Sequence, residues 1–175
     1  MKLKALVTAM ALFSFYANAA SDNTVHFQGE VSTQTCSVNI NGSSAGPVVL
    51  LPTVAASKLA TASSTAGETT FTVNVTDCAA DAASIKTVFV GNDITSNGNL
   101  GNTGTAGNVS IQLLDSDAST PLKFVSGQSV NTSAFTKAAD STTASQELTA
   151  RYFAEAATVT AGTVLASAQY AISYQ

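Results

Sequence analysis

Few residues of this chain could do chemistry, and those few stand far apart. Cys36 and Cys78 are the two cysteines and His26 is the lone histidine. These are too few ligands to close a zinc tetrahedron, so no metal is expected. A serine hydrolase would need His26 as its base, but that residue lies in an extension rather than on a rigid scaffold. Asp115 and Asp117 form an isolated Asp-x-Asp, short of a calcium loop, and read as a hydrated turn. Gly98, Gly101 and Gly104 punctuate a polar loop over Gly91 to Gly107 that does not lead from a strand into a helix, so a phosphate cradle is not expected. No catalytic group, cofactor site or metal site emerges. What remains is thiol oxidation, and that depends on the compartment.

The first residues indicate the compartment. Lys2 and Lys4 precede an apolar run from Ala5 to Tyr16, and Ala17-Asn18-Ala19 offers small residues either side of a cleavage point. This is the pattern of a secretory signal peptide over residues 1–19. An exported product makes a Cys36–Cys78 disulfide the default, worth roughly 3 to 4 kcal/mol in the chain-entropy model, with two free thiols as the alternative. No later segment reaches the ~20 apolar residues of a membrane-spanning helix, so no membrane insertion is expected. Cleavage would remove two lysines and move the formal charge from −4 to about −6. That balance argues against nucleic acid and anionic membrane as partners.

Elements that could position a site must come from residues 20–175, a length that suits one domain of ~100 to 150 residues. Charged residues make up 10% and Trp is absent, while Thr and Val are frequent, which favours strands. Alanine dilutes that signal and allows one short helical turn near Ala55 to Leu59. Apolar alternation marks strands at Thr35 to Ile40, Pro47 to Pro52, Phe71 to Cys78, Ile85 to Val90 and Asn108 to Asp115. Further strands are expected from Leu122 and Phe124, around Leu148, Ala150 and Tyr152, and from Val164 to Tyr174. Short strands without periodic helices between them predict an all-β sandwich of the immunoglobulin-like kind.

Two alternating stretches stand at the ends. In Asn23 to Val31 the side chains of Val25, Phe27, Gly29 and Val31 share one face, and His26, Gln28 and Glu30 the other. Such a strand must cover a core, its own or another molecule's. At the far end Ala168, Tyr170, Ile172 and Tyr174 alternate with polar or small residues, leaving an apparent core strand whose free edge invites pairing from outside.

Taken in order, Val25 to Val31 before Cys36, the Phe71-to-Cys78 strand, Asn108 to Asp115, and Ala161-Gly162-Thr163-Val164 leading to Tyr170 to Gln175 carry a resemblance. Over nearly its whole length the chain resembles subunits of chaperone-usher fimbriae, type 1-like or F17-like major pilins. The resemblance implies an incomplete immunoglobulin-like sandwich, completed by a donor strand from a neighbouring subunit or a chaperone. It divides the chain into a signal peptide (1–19), an N-terminal donor-strand extension (20–35) and a pilin domain (36–175). Val25, Phe27, Gly29 and Val31 match the donor positions, with Gly29 as the small residue over a shallow pocket. Gly162, Tyr170, Ile172, Tyr174 and Gln175 match the strand offered to chaperone and donor. The implied function is a non-enzymatic shaft subunit polymerising by donor-strand exchange into an adhesive fimbria at the cell surface. Its implied partners are a periplasmic chaperone, an outer-membrane usher, identical subunits, and a tip adaptor or adhesin. The alternatives are a minor tip adaptor pilin and a secreted carbohydrate-binding β-sandwich.

Overall fold

Alternation of residue types becomes alternation of burial. In β2 (Thr65–Thr76) Phe71, Val73 and Val75 are buried between half-buried Thr72, Asn74 and Thr76. In β3 (Ala83–Gly91) Ala83, Ile85, Thr87 and Phe89 are buried in the same rhythm. A strand sends successive side chains to opposite faces, so each contributes one apolar face to a core. The computed structural model describes Gly29, Val31 and residues 35–175. The remaining elements are β1 (Ser37–Ile40), a 3-10 turn (Ala56–Leu59), β4 (Leu100–Gly101), β5 (Val109–Leu114), β6 (Val130–Asn131), β7 (Phe135–Lys137), β8 (Ala144–Ala154) and β9 (Ala168–Tyr174).

Two antiparallel sheets face each other. One runs β1-β2-β8-β5-β4. The other is built on β3, which pairs with β9 from Ile85 to Gly91 and with the short β6 and β7 on its opposite edge. Phe71, Val73, Phe89, Ile111, Leu113 and Leu148 interdigitate between them. A second cluster at one end holds Val75, Cys78, Ala83 and Ile85, with Cys36, Ile172 and Tyr174 packed against it. There Cys36 and Cys78 form the disulfide, with their Cα atoms 4.2 Å apart, tying β1 to the end of β2. The expected bridge and the expected sandwich are both present.

Several local expectations are corrected. Pro47 to Pro52 forms no strand; Val49 and Leu51 are half-buried against the core while Val48 and Leu50 stay exposed. Leu122 and Phe124 do not start a strand either, but both are buried and held by backbone bonds to Leu113 and Gly98. The polar loop from Gly91 to Gly107 contains β4. β6 and β7 are too short for a periodic signal. Asp115 is buried rather than hydrated: its Oδ2 accepts from the backbone N–H and Oγ of Ser133, both at 2.8 Å. Asp117 does cap an exposed turn, accepting from the amides of Ser119 and Thr120. The 3-10 turn at Ala56–Leu59 falls where a helical turn was expected.

Candidate functional site: an open groove along β9

β9 is an edge strand whose polar groups can be assigned to sides. Gln175 N–H donates to Ser84 O at 2.8 Å and Ser167 O accepts from Asn92 N–H at 3.3 Å, so odd-numbered residues turn their backbone groups towards β3 and its extension. Because adjacent residues point these groups to opposite sides, those of Ala168, Tyr170 and Ile172 face away from β3. Among the described residues no strand pairs with that edge. The inward side chains of Ala168, Tyr170, Ile172 and Tyr174 are only partly buried, unlike their counterparts on β2 and β3.

Beside this edge lies a groove of about 610 Å³. Its floor is the core itself: Phe71, Phe89, Leu100, Ile111 and Leu113. Residues 46–51 form one rim and residues 164–170 the other. A second cavity of about 460 Å³, lined by Val54, Leu59, Val109 and Val159 among others, adjoins it across Tyr152, Val164 and Leu165. The groove is apolar, long and bordered by unpaired backbone, which suits an extended strand with alternating apolar side chains better than a small polar ligand.

The expected site residues are distributed unevenly around it. Tyr170 lines the groove, while Ile172 and Tyr174 continue the same face towards the disulfide end. Gln175 follows β9, anchored to Ser84. Gly162 lies outside β9 and lines the second cavity rather than the groove: a Cβ there would collide with the backbone of Thr105 and Ala106, so the absence of a side chain lets two loops touch. Val25 and Phe27 lie outside the described residues. Gly29 has nothing within 4 Å of where a Cβ would stand, and Val31 is fully exposed. Among the described residues neither meets a contact that would explain its residue type.

Sequence reasoning missed the rim formed by Val49 and Leu51, the wall formed by Tyr152, and the loop residue Asn102. An apolar run bracketed by prolines was visible, but nothing local distinguishes a strand from a rim.

The most elaborate polar cluster lies at the same end as the second cavity. Glu155 accepts from Thr95 Oγ1 at 2.9 Å, Asn97 Nδ2 at 2.6 Å, Asn99 Nδ2 at 3.2 Å and the hydroxyl of Ser110. Burial pushes its carboxyl up, but the bonds from Ser110, Asn97, Asn99 and Thr95 outweigh it and hold the group below the ordinary carboxylate range. With both oxygens bonded from within the chain, this carboxylate ties the Thr95 to Asn99 loop to β5 and β8. Among the described residues no three His, Cys, Asp or Glu side chains converge as metal ligands would.

The likenesses to known proteins agree with this architecture. The profile of the family described as Fimbrial protein matches residues 25–175. The chain is 34% identical to the F17 fimbrial protein of Escherichia coli over 185 aligned residues, covering 99% of each. It is 36% identical to the major fimbrial subunit SMF-1 of Stenotrophomonas maltophilia, over 90% of this chain and 95% of that one. Among solved structures, a type I fimbria protein and antigen of Burkholderia pseudomallei superposes with a TM-score of 0.56 at 27% identity, over 81% of this chain and 95% of that one. The P pilus rod subunit PapA does so with a TM-score of 0.59 at 20% identity, over 79% and 99%. By its sandwich, its open edge and its full-length likeness, the chain belongs to the fimbrial protein family, as a major subunit of the chaperone-usher type.

Proposed function

We propose that the chain is a non-enzymatic shaft subunit that polymerises by donor-strand exchange, each copy filling the groove of the next with residues 25–31. The observation that carries this reading is the groove itself: an apolar floor beside a β9 edge that no strand among the described residues covers. The donor alternation from Val25 to Val31 spans roughly 20 Å at ~3.3 Å per residue, the same length as the seven residues of β9. Burying Val25, Phe27 and Val31 would contribute about 1.5 to 3 kcal/mol each, offset by ~1 to 2 kcal/mol per residue for ordering the extension. Exposed Val31 and uncrowded Gly29 fit residues chosen for contacts with another molecule. Before joining, a periplasmic chaperone occupies the same edge and an outer-membrane usher passes the subunits to the surface. Residues 1–19 are then an export signal, residues 20–35 the donor extension and residues 36–175 the pilin domain.

The test compares the intact chain with one lacking residues 20–32 downstream of the signal, each coexpressed with a chaperone and usher and run unboiled on a denaturing gel. A heat-sensitive ladder from the intact chain alone is expected. Stable monomers from both in the absence of chaperone would show that the sandwich completes itself.

A further inference from the structure

The segment entering β9 forms no ladder, yet its backbone alternates as a strand's does. Thr163 N–H donates to Thr105 Oγ1 at 2.9 Å and Thr163 O accepts from Ala106 N–H at 3.0 Å. Leu165 N–H donates to Asn102 Oδ1 and Leu165 O accepts from Thr103 N–H, both at 2.8 Å. Residues 163, 165 and 167 therefore turn their polar groups to one side, in phase with the odd-numbered residues that β9 presents to β3. Val164 and Ala166 turn theirs the other way, in phase with Ala168, Tyr170 and Ile172. Among the described residues the backbone groups of Val164 and Ala166 have no partner, and their side chains line the groove.

A loop stands in for the missing neighbour strand, and Asn102 is its centre. Its Oδ1 accepts from the amides of Gly104 and Leu165, each at 2.8 Å. Its Nδ2 donates to Ala106 O at 2.7 Å and reaches Thr163 O at 3.5 Å. One side chain thus folds its own loop and holds the opposing segment. Gly104 and Gly162 make the approach possible, since a Cβ on either would run into the facing backbone.

We propose that Asn102 is a positioning residue that extends the pairing edge of the groove from Ala168 back to Val164, so that it takes a partner strand of about eleven residues, residues 25–35 of a neighbouring copy. At ~3.3 Å per residue, residues 164–174 and residues 25–35 both span roughly 33 Å. Every ladder among the described residues is antiparallel. A strand laid antiparallel to β9 brings its Val31 towards Ala168 and the residues after Val31 past Ala166 and Val164. Ser32, Thr33, Gln34 and Thr35 are polar and rich in β-formers, suited to pairing at the open end of the groove rather than to filling its floor.

This inference rests on the donor-strand reading, and one experiment separates the two. Amide hydrogen exchange is followed in fibres assembled from the full mature chain, from its Asn102→Ala variant and from Asn102→Asp, which keeps the acceptor for Leu165. In wild-type fibres, Val164 and Ala166 are expected to exchange ~100-fold more slowly than amides of the unfolded chain, together with Ala168, Tyr170 and Ile172. Asn102→Ala should remove protection at Val164 and Ala166 while leaving it at Ala168 to Ile172, and Asn102→Asp, which keeps the bond to Leu165 but loses those to Ala106 and Thr163, should restore only part of it. A variant that only weakened the fold would lower protection everywhere. Free exchange at Val164 and Ala166 in wild-type fibres, with Ala168 to Ile172 protected, would end the pairing edge at β9 and overturn the proposal. Free exchange along all five positions would overturn the donor-strand reading itself.

Discussion

Gly67 and Tyr152 touch across the β2–β8 ladder: a Cβ on Gly67 would stand 2.8 Å from Cδ2 of the tyrosine ring. The ladder shifts register between Ala66 and Thr69, and Gly67 occupies that irregularity with φ +67°. A bulge with a left-handed glycine bends the strand and leaves room for the ring. Tyr152 can then lie across β2 and form the wall shared by the groove and the smaller cavity.

Replacing Gly67 with alanine should therefore cost twice, once for the left-handed backbone and once for the collision with Tyr152. A loss of about 1 to 3 kcal/mol is expected, read from the denaturant midpoint of the chaperone-held subunit. A midpoint unchanged from wild type would mean that neither the left-handed backbone nor the Tyr152 ring penalises a side chain at this position.

Gly29→Leu should separate folding from assembly. Nothing lies within 4 Å of a Cβ at this position, so the subunit's own stability should not change. If Gly29 is the proposed donor residue, the added side chain must displace packed atoms in the neighbouring groove, and the heat-sensitive ladder should disappear while the monomer persists. Normal fibres from this variant would contradict the donor role of Gly29.

At the other end, deletion of Tyr174 and Gln175 removes an apolar contact to the disulfide cluster and the bond from Gln175 N–H to Ser84 O. On the proposed chaperone-held route less of the edge then remains for capture, and the steady-state periplasmic level should fall severalfold in an immunoblot. Equal levels would rule out this end as a capture element.

Serine at both Cys36 and Cys78 should lower stability by roughly 3 to 4 kcal/mol, because the bridge closes a loop of sequence separation 42. Melting of the oxidised and double-serine chains, both held free of reductant, measures it directly.

Glu155 imposes a pH dependence with a defined sign. Its carboxyl is depressed in the folded state from an ordinary 4.5, so the unfolded chain takes up the proton first. The stabilisation is complete above pH 4.5 and is lost as the pH falls through the lower folded-state value. Glu155→Gln should flatten this acid limb of the melting curve, and an unaltered limb would assign it to other carboxylates. Asp117, depressed chiefly by its side-chain and backbone bonds from Thr120, acts in the same direction from an exposed turn.

The period of two was legible from the residues alone. It marked the cores of β2, β3, β5, β8 and β9, the inward set Phe71, Val73 and Val75, and the alternation of Tyr170, Ile172 and Tyr174, because side-chain direction in a strand is a local property. Export chemistry likewise pointed to the Cys36–Cys78 bridge. Only the tertiary structure decided which edge stays open, since an edge is defined by the absence of a pairing partner and pairing joins residues far apart in sequence. For the same reason Pro47 to Pro52 became a rim rather than a strand, and Gly162 a contact between loops rather than part of β9. Asn102, one polar residue in a polar loop, carried no local sign of its role, which exists only because folding brings Thr163 and Leu165 within reach of its amide.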